Sequence, residues 1–346
     1  MIRNQSSEPL TEVLGEYPFT VKQIRTESYK QKKAVWWVET TKGTKILKKH
    51  PNSEAMLLFL LAAIQHLQKR GIEIPRVNTT VDGRPYVNIG ETCYILIDAV
   101  EGKNPDYNKP KELEIFVREL GRFHAASAGF VPPKESKVRQ HLGNWLEDYS
   151  DYASRLKAFY DGEKYQVTHG EFGKIILKVF DSFFKRMEAS IAGLRGSEYT
   201  TWVNKIAAKG GLCHQDFAAG NILLNPSGKV YVLDTDSLTI DLPARDIRKV
   251  LNKVMKKNGK WDAALLQDIL GWYQQENPLT ADEWAVVKLD LTFPHLFAGI
   301  MDKYYRGREK DWTEGKYVSR LKEMIAIEQS GEKVLDKYNE IIKKIK

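Results

Sequence analysis

Residues 212–224 read LCHQDFAAGNILL. A histidine, an aspartate and an asparagine interrupt an otherwise apolar, small-residue run, spaced His214-x-Asp216 and then Asp216-x-x-x-x-Asn221. If Asn221 leads into a strand NILL, the residues before it form a loop that returns both polar side chains to one side. A turn at Pro226-Ser227-Gly228 follows, and then YVLDTDS, in which three apolar residues deliver Asp234 to the end of a second strand. A hairpin of these strands gathers Asp216, Asn221 and Asp234. Their oxygen donors suit a hard cation such as Mg²⁺, which prefers oxygen ligands and keeps water and phosphate in its shell. An aspartate beside it accepts a proton from a hydroxyl. These are the parts that phosphoryl transfer requires: neutralised phosphates and an oriented nucleophile.

The flanks predict an α+β architecture. VKQIR (21–25), AVWWVET (34–40) and TKILKK (44–49) read as strands, and a helix over 53–69 starts at Ser53 and stops before Gly71 and Pro75. RVNTTV (76–81), RPYVNI (84–89) and TCYILI (92–97) complete a strand-rich first part. After Gly102 the periodicity becomes helical. Leu113, Phe116, Val117, Leu120 and Phe123 recur at helical spacing, as do Ile175, Ile176, Val179, Phe180, Phe183 and Met187. From Ala244 to the end the chain is again helical. The expected division is a small antiparallel-sheet lobe over 1–100 and a larger, mostly helical lobe over 101–346, which holds the hairpin at about 212–237.

At this point the sequence resembles the protein-kinase-like superfamily, whose catalytic loop H-x-D-x-x-x-x-N is matched by His214, Asp216 and Asn221. The resemblance implies a bilobal kinase-like fold that uses ATP and Mg²⁺. It makes Asp216 the base and gives Asn221 and Asp234 the metal, with Asp236 either a further metal contact or a turn residue. His214 then braces the loop. A kinase also needs a strand lysine for the α/β phosphates and a helix glutamate to pair with it. Lys48 shares a strand face with Ile46 and Thr44, whereas Lys49 points the other way. Glu54 opens the following helix, where the helix dipole alone also favours an acid. Backbone groups of Asp98 and Val100 in the segment 97–102 are placed to pair with adenine.

Spacing selects the branch. Asp98 and Asp216 lie 118 residues apart, too far for the compact connection of ordinary protein kinases. Asp234 and Asp246 are separated by only 12, too few for an activation loop. LGRFH (120–124), the NILL strand and the D-x-D ending look like the aminoglycoside phosphotransferase and choline kinase branch, in which Asp246 supports the catalytic loop. LCHQDFAAGNILL, LTFPHLFAGIMDKYY and the basic C-terminal segment resemble CotS-type spore-coat proteins of endospore-forming bacteria. That likeness implies the spore coat, or the mother-cell cytoplasm where it is assembled, with other coat proteins as partners and a small-molecule hydroxyl as acceptor.

Two departures support an alternative, a structural coat component that keeps the kinase shape. No glycine occurs between Val21 and Thr40, so a glycine-rich phosphate cover is absent; Lys30, Lys32 and Lys33 offer charge in its place. Ala218 stands where many relatives carry a side chain that contacts phosphate.

Composition narrows the field further. Hydrophobic residues make up 42% and charged residues 28% of 346, which excludes wholesale disorder. The N-terminal MIRNQSSEPLTEV has no apolar core of a signal peptide, and the apolar 285–305 carries Lys288, Asp290 and Asp302, which predicts a buried helix pair rather than a membrane span. Cys93 and Cys213 read as buried thiols. The net charge of +8 gathers in KQKK (30–33), KVMKKNGK (253–260), YYRGREK (304–310) and the terminal KKIK. Such runs suit nucleic acid, anionic substrates or acidic proteins, or are simply solvated. No arginine–aromatic platform favours nucleic acid. Glu147, Asp148 and Asp151 form an acidic cluster that is either a meeting place for a cationic acceptor or a solvated helix face.

Overall fold

Alternation along AVWWV builds the first sheet. Ala34, Trp36 and Val38 are buried on one face, while Lys33, Val35 and Trp37 face the other way. The structure, a computed structural model, describes residues 8–30, 33–51 and 53–345. In chain order the strands are β1 (Val21–Lys30), β2 (Lys33–Thr40), β3 (Gly43–His50), β4 (Val87–Ile89), β5 (Thr92–Asp98), β6 (Leu212–Cys213), β7 (Ile222–Leu224), β8 (Val230–Val232) and β9 (Thr239–Ile240). The helices are α1 (Leu10–Gly15), α2 (Glu54–Lys69), α3 (Pro110–Ser127), α4 (Trp145–Lys164), α5 (Glu171–Arg195), α6 (Tyr199–Lys209), α7 (Ala244–Lys257), α8 (Ala263–Glu276), α9 (Ala281–Thr292), α10 (His295–Tyr305), α11 (Glu314–Leu335) and α12 (Tyr338–Ile345).

The chain forms two compact units. The first comprises Met1–Pro105, Gly129–Arg139 and Ala219–Thr239. Its antiparallel sheet has the order β1-β2-β3-β5-β4. One face packs Trp36, Val38, Leu47, Tyr94 and Leu96 against Val13 and Leu14 of the short α1 and Tyr17 just beyond it. Full burial of each large side chain contributes about 1.5–3 kcal/mol. The other face sets Cys93 and Ile95 against Leu57 of α2. Ser53 occupies the N-cap of α2 without a side-chain cap bond; its carbonyl takes the N–H groups of Met56 and Leu57. Residues 76–81 do not form the expected strand. Pro75 precedes them and lacks a donor, and only Val77 bridges to Ile97, flanked by single bonds from Asn78 to Leu96 and from Asp98 to Arg76.

The β7–β8 hairpin belongs to this unit. Ile222 pairs with Val232, and Gly228 at φ 83° closes the turn in a conformation that favours glycine. Lys103 and Leu224 exchange backbone bonds at 3.0 and 2.8 Å, and the Val232 N–H donates to the Glu73 carbonyl at 2.8 Å.

The second unit comprises Asp106–Ala128, Gln140–Ala218 and Ile240–Lys346. Its helices bury aromatic pairs, including Phe172 stacked on Tyr304 at 3.8 Å and Phe183 on Phe297 at 4.1 Å. A capping box of Thr280 and Glu283 starts α9, and α9 and α10 are the helix pair expected over 285–305. Both cysteines are free and buried. Among the described residues, no helix is long and apolar enough to cross a membrane.

Candidate active site

Strand alternation places Lys48 where the sequence predicts. Ile46, Lys48 and His50 share one face of β3, and Lys49 on the opposite face pairs with Glu8 at 2.6 Å. The Lys48 ammonium lies 3.2 Å from Asp236 and 3.4 Å from Asp234. Lys33 joins the same group, 2.8 Å from Asp236 and 3.9 Å from Asp234. Two ammonium groups thus meet two carboxylates at the end of the β7–β8 hairpin. Burial opposes ionisation of Asp236, yet the charge of Lys48 and the hydrogen bond from Lys33 hold its carboxyl well below the usual range. Asp236 is therefore an ion-paired member of the cluster. Lys32 lies outside the described residues, and Lys30 is exposed. Asn221 ends a short 3₁₀ turn, Ala219–Asn221, and its carbonyl accepts the Leu233 N–H at 2.8 Å.

Glu54 is not where the kinase pattern predicts. Its carboxylate accepts from the Tyr86 hydroxyl and, at 3.4 Å, from Asn88. It lines a cavity of about 870 Å³ with His50, Asn88 and Cys93, while Lys48 spends its bonds on the aspartates. The reason is local: Glu54 is the first residue of α2, and the neighbouring β4 and its lead-in supply Tyr86 and Asn88 as donors. The expected Lys48–Glu54 pair is thus replaced by a lysine–aspartate cluster. Asp98 is likewise occupied: its carboxylate takes Lys45 at 2.5 Å and Arg76 at 3.1 Å, and its N–H goes to the Arg76 carbonyl. Ala99 donates to Thr44, and Val100 follows it along a cavity of about 510 Å³ shared with Asp98 and Tyr231.

In the second unit the loop 214–217 hangs on one carboxylate. Asp246, fully buried in the first turn of α7, accepts the backbone N–H groups of His214 at 2.6 Å and Gln215 at 2.9 Å, and its Oδ2 lies 3.3 Å from His124 Nε2. Burial works against its charge, but His124 and the His214 amide keep its carboxyl below the ordinary value. The buried His214 accepts the Asp216 N–H on Nδ1 at 3.3 Å and packs edge-on against Phe217, which rests on Phe116 and Phe123. The imidazole therefore sits inside the loop and bonds its backbone. The result is an Asp216 side chain that is 57% exposed on a rigidly held backbone.

Backbone strain marks the same two places. Among the described residues the positive-φ non-glycines are Gln215 (69°) and Asp234 (50°). A left-handed conformation costs such residues of order 1 kcal/mol each and persists only where surrounding bonds enforce it. For Gln215 those bonds include Lys249, which donates to its carbonyl at 2.6 Å and to its side chain at 2.9 Å.

Comparison with known proteins then fixes the relationship. The model of the family described as "Spore coat putative kinase YutH" matches residues 19–338. The chain belongs to this spore-coat family. Spore coat protein S of Bacillus subtilis (strain 168) is 34% identical over 346 residues, covering 99% of this chain and 97% of its own. An aminoglycoside phosphotransferase of solved structure from Alicyclobacillus acidocaldarius superposes with a TM-score of 0.80 at 18% identity, covering 100% of this chain and 99% of its own. Spectinomycin phosphotransferase, solved with ADP and spectinomycin, gives 0.63 at 13%, covering 95% and 96%. The fold is therefore protein-kinase-like, of the aminoglycoside phosphotransferase type.

Within this spore-coat member, two lysines of α7 join the loop unannounced by any motif. Lys253 donates to Asp216 at 2.7 Å and to the Phe217 carbonyl at 3.4 Å, and Lys249 holds Gln215. The signal was helical spacing: Asp246, Lys249 and Lys253 recur at i, i+3 and i+7, one face of a helix. The acidic Glu147, Asp148 and Asp151 are exposed on α4.

Proposed function

We propose that this spore-coat family member is an ATP- and Mg²⁺-dependent phosphotransferase that phosphorylates a hydroxyl of a small molecule, in the spore coat or in the mother-cell cytoplasm where the coat is assembled. The observation that carries this reading is the backbone of residues 214–216, pinned by a buried carboxylate so that Asp216 alone projects. In the reaction the acceptor O–H bond breaks, its proton passes to Asp216, a new O–P bond forms, and the bridging O–P bond of ATP breaks to leave ADP. Asp216 orients the hydroxyl as well as taking its proton.

The donor set of the first unit fits a hard cation. Asp234, Asp236 and Asn221 offer oxygen ligands, and both carboxylates already carry ammonium groups, so the position selects positive charge. Bound there, Mg²⁺ neutralises phosphate charge. Lys48 and Lys33, which pair with the same aspartates, would meet the phosphate oxygens, with Lys33 as the counterpart of the absent glycine-rich cover. Lys253 supplies from α7 the cation that Ala218 lacks. The Asp98 carbonyl and the Val100 N–H take the adenine edge, and Glu54 serves α2 rather than the phosphates. In this proposal residues 1–100 bind the nucleotide, and the remainder, 101–346, carries the catalytic hairpin with its metal-holding residues and the acceptor side.

Calorimetry on the full chain tests the assignment. Mg·ATP is expected to bind, with the affinity falling about tenfold in Lys48→Met, the loss of one charge-assisted contact of about 1.5 kcal/mol, and less than threefold in Glu54→Gln. Equal losses in both variants would restore the Lys48–Glu54 pair and sink the proposed cluster.

The second reading, a kinase-shaped structural coat component, draws on the Lys253–Asp216 ion pair, which occupies the candidate base at 2.7 Å. Nucleotide binding without transfer to any acceptor is its signature.

A further inference from the structure

Lys253 and Lys256 of the basic run 253–260 line the exposed side of Asp216, and Lys256 has no part in nucleotide chemistry as proposed. A cavity of about 330 Å³ is lined by Asp216 together with Arg248, Lys249, Lys253 and Lys256. It shares Lys256, His295 and Leu296 with a neighbouring cavity of about 310 Å³, which adds Lys303, Trp312 and Arg320. Six cationic side chains therefore line one continuous trough, and Asp216 is the one carboxylate among its described lining residues.

Local pairing leaves an excess of positive charge. Arg248 is matched by the buried Asp290 at 3.2 Å and Lys253 by Asp216 at 2.7 Å. Lys249 bonds only neutral groups of Gln215, and Lys256 makes no ion pair among the described residues. Lys303 and Arg320 reach Glu309 and Glu323, and Lys303 and Lys316 also sit 5.6 and 4.5 Å from the Trp312 ring, which fixes them at the rim. His295 adds no charge at neutral pH: burial first, and then the charge of Arg248, push it down to about 4. Burial, and after it the charge of Arg248, also push Lys249 down to about 8, with Asp246 opposing and Arg245 adding to the effect.

We infer that the trough beside Asp216 receives an acceptor that carries an anionic group next to its hydroxyls, a sugar acid or a sugar phosphate, and that it disfavours amine-bearing sugars. The inference rests on the phosphotransferase reading for its chemistry but not for its binding. An anion seated among Lys249, Lys253 and Lys256 draws Lys253 away from Asp216, which frees the carboxylate for a hydroxyl. A cationic acceptor meets the same ammonium groups as a repulsive wall.

Four probes on one hexose frame separate the cases: glucuronate, glucose 6-phosphate, glucose and glucosamine, titrated into the full chain at low ionic strength and again at high salt. The two anionic sugars are expected to bind at least tenfold more tightly than glucose or glucosamine, with the advantage lost in salt. Comparison of glucuronate with glucose 6-phosphate tells carboxylate from phosphate. Lys256 is exposed, so Lys256→Glu is expected to leave the fold intact and weaken anion binding about tenfold, as charge reversal near the ligand requires, while Lys256→Arg restores it. Glucosamine binding as tightly as the anions, binding of none of the four, or an unmoved affinity in Lys256→Glu would overturn the inference. Phosphoryl transfer is read on the same panel. Anion binding that depends on Lys256 without transfer from ATP leaves this inference standing and removes the phosphotransferase reading. Transfer to glucosamine alone does the reverse.

Discussion

Asp216→Asn is expected to lower the rate of phosphoryl transfer by about 10²–10⁴-fold while the Kd for Mg·ATP moves less than threefold. The split follows from what the side chain touches. Asp216 is 57% exposed and its side chain pairs with Lys253, so an amide of the same shape leaves the loop backbone on Asp246 undisturbed. The substitution removes the proton acceptor and the charge that Lys253 pairs with, and leaves the backbone bonds in place. A merely structural role would show itself differently, as lower stability and weaker nucleotide binding together. Steady-state ADP release with saturating acceptor measures the rate, and calorimetry measures the affinity. An unchanged rate would remove Asp216 from the chemistry.

The second large effect concerns Asp246→Ala, expected to destabilise the second unit by about 3–5 kcal/mol. The carboxylate is fully buried and satisfies two backbone N–H groups and His124, so truncation orphans three polar groups at once. It also releases Gln215 from its left-handed conformation, so Asp216 loses its aim even in molecules that remain folded. The pH dependence has a definite sign. The folded-state pKa of Asp246 lies below its unfolded value near 3.9, so its contribution is present above that value and fades as pH falls through it toward the folded pKa. Asp290, held low by Arg248 and His295 against its burial, adds to the same acid-side loss. Urea unfolding at pH 7 and pH 3 is expected to show a gap between wild type and Asp246→Ala that narrows at the lower pH. A constant gap, or one under 1 kcal/mol at pH 7, would contradict this role.

How much of this was legible beforehand depended on the range of each interaction. His214, Asp216, Asn221 and Asp234 lie within 21 residues, so strand alternation and one turn sufficed to propose them as one group. Lys48 was readable from the period of two along β3, and the family likeness pointed to Asp246. Glu54 misled because a helix N-terminus favours an acid whatever it faces, and the donors that claim it, Tyr86 and Asn88, come from a strand more than 30 residues later. Lys249 and Lys253 were written into a basic run whose solvated reading is usual; only the face they share with Asp246 sets them apart. The strained Gln215 and Asp234 carry no glycine to announce them. Residues 76–81 alternate like a strand but make too few ladder bonds to become one.

Phosphorus NMR of acceptor mixtures incubated with the full chain and Mg·ATP tests the central claim most directly. The account predicts a new phosphomonoester signal on an anionic acceptor, growing one for one with ADP and absent with Asp216→Asn. ADP formed without any phosphorylated acceptor, or a phosphomonoester that forms equally fast in Asp216→Asn, would contradict it.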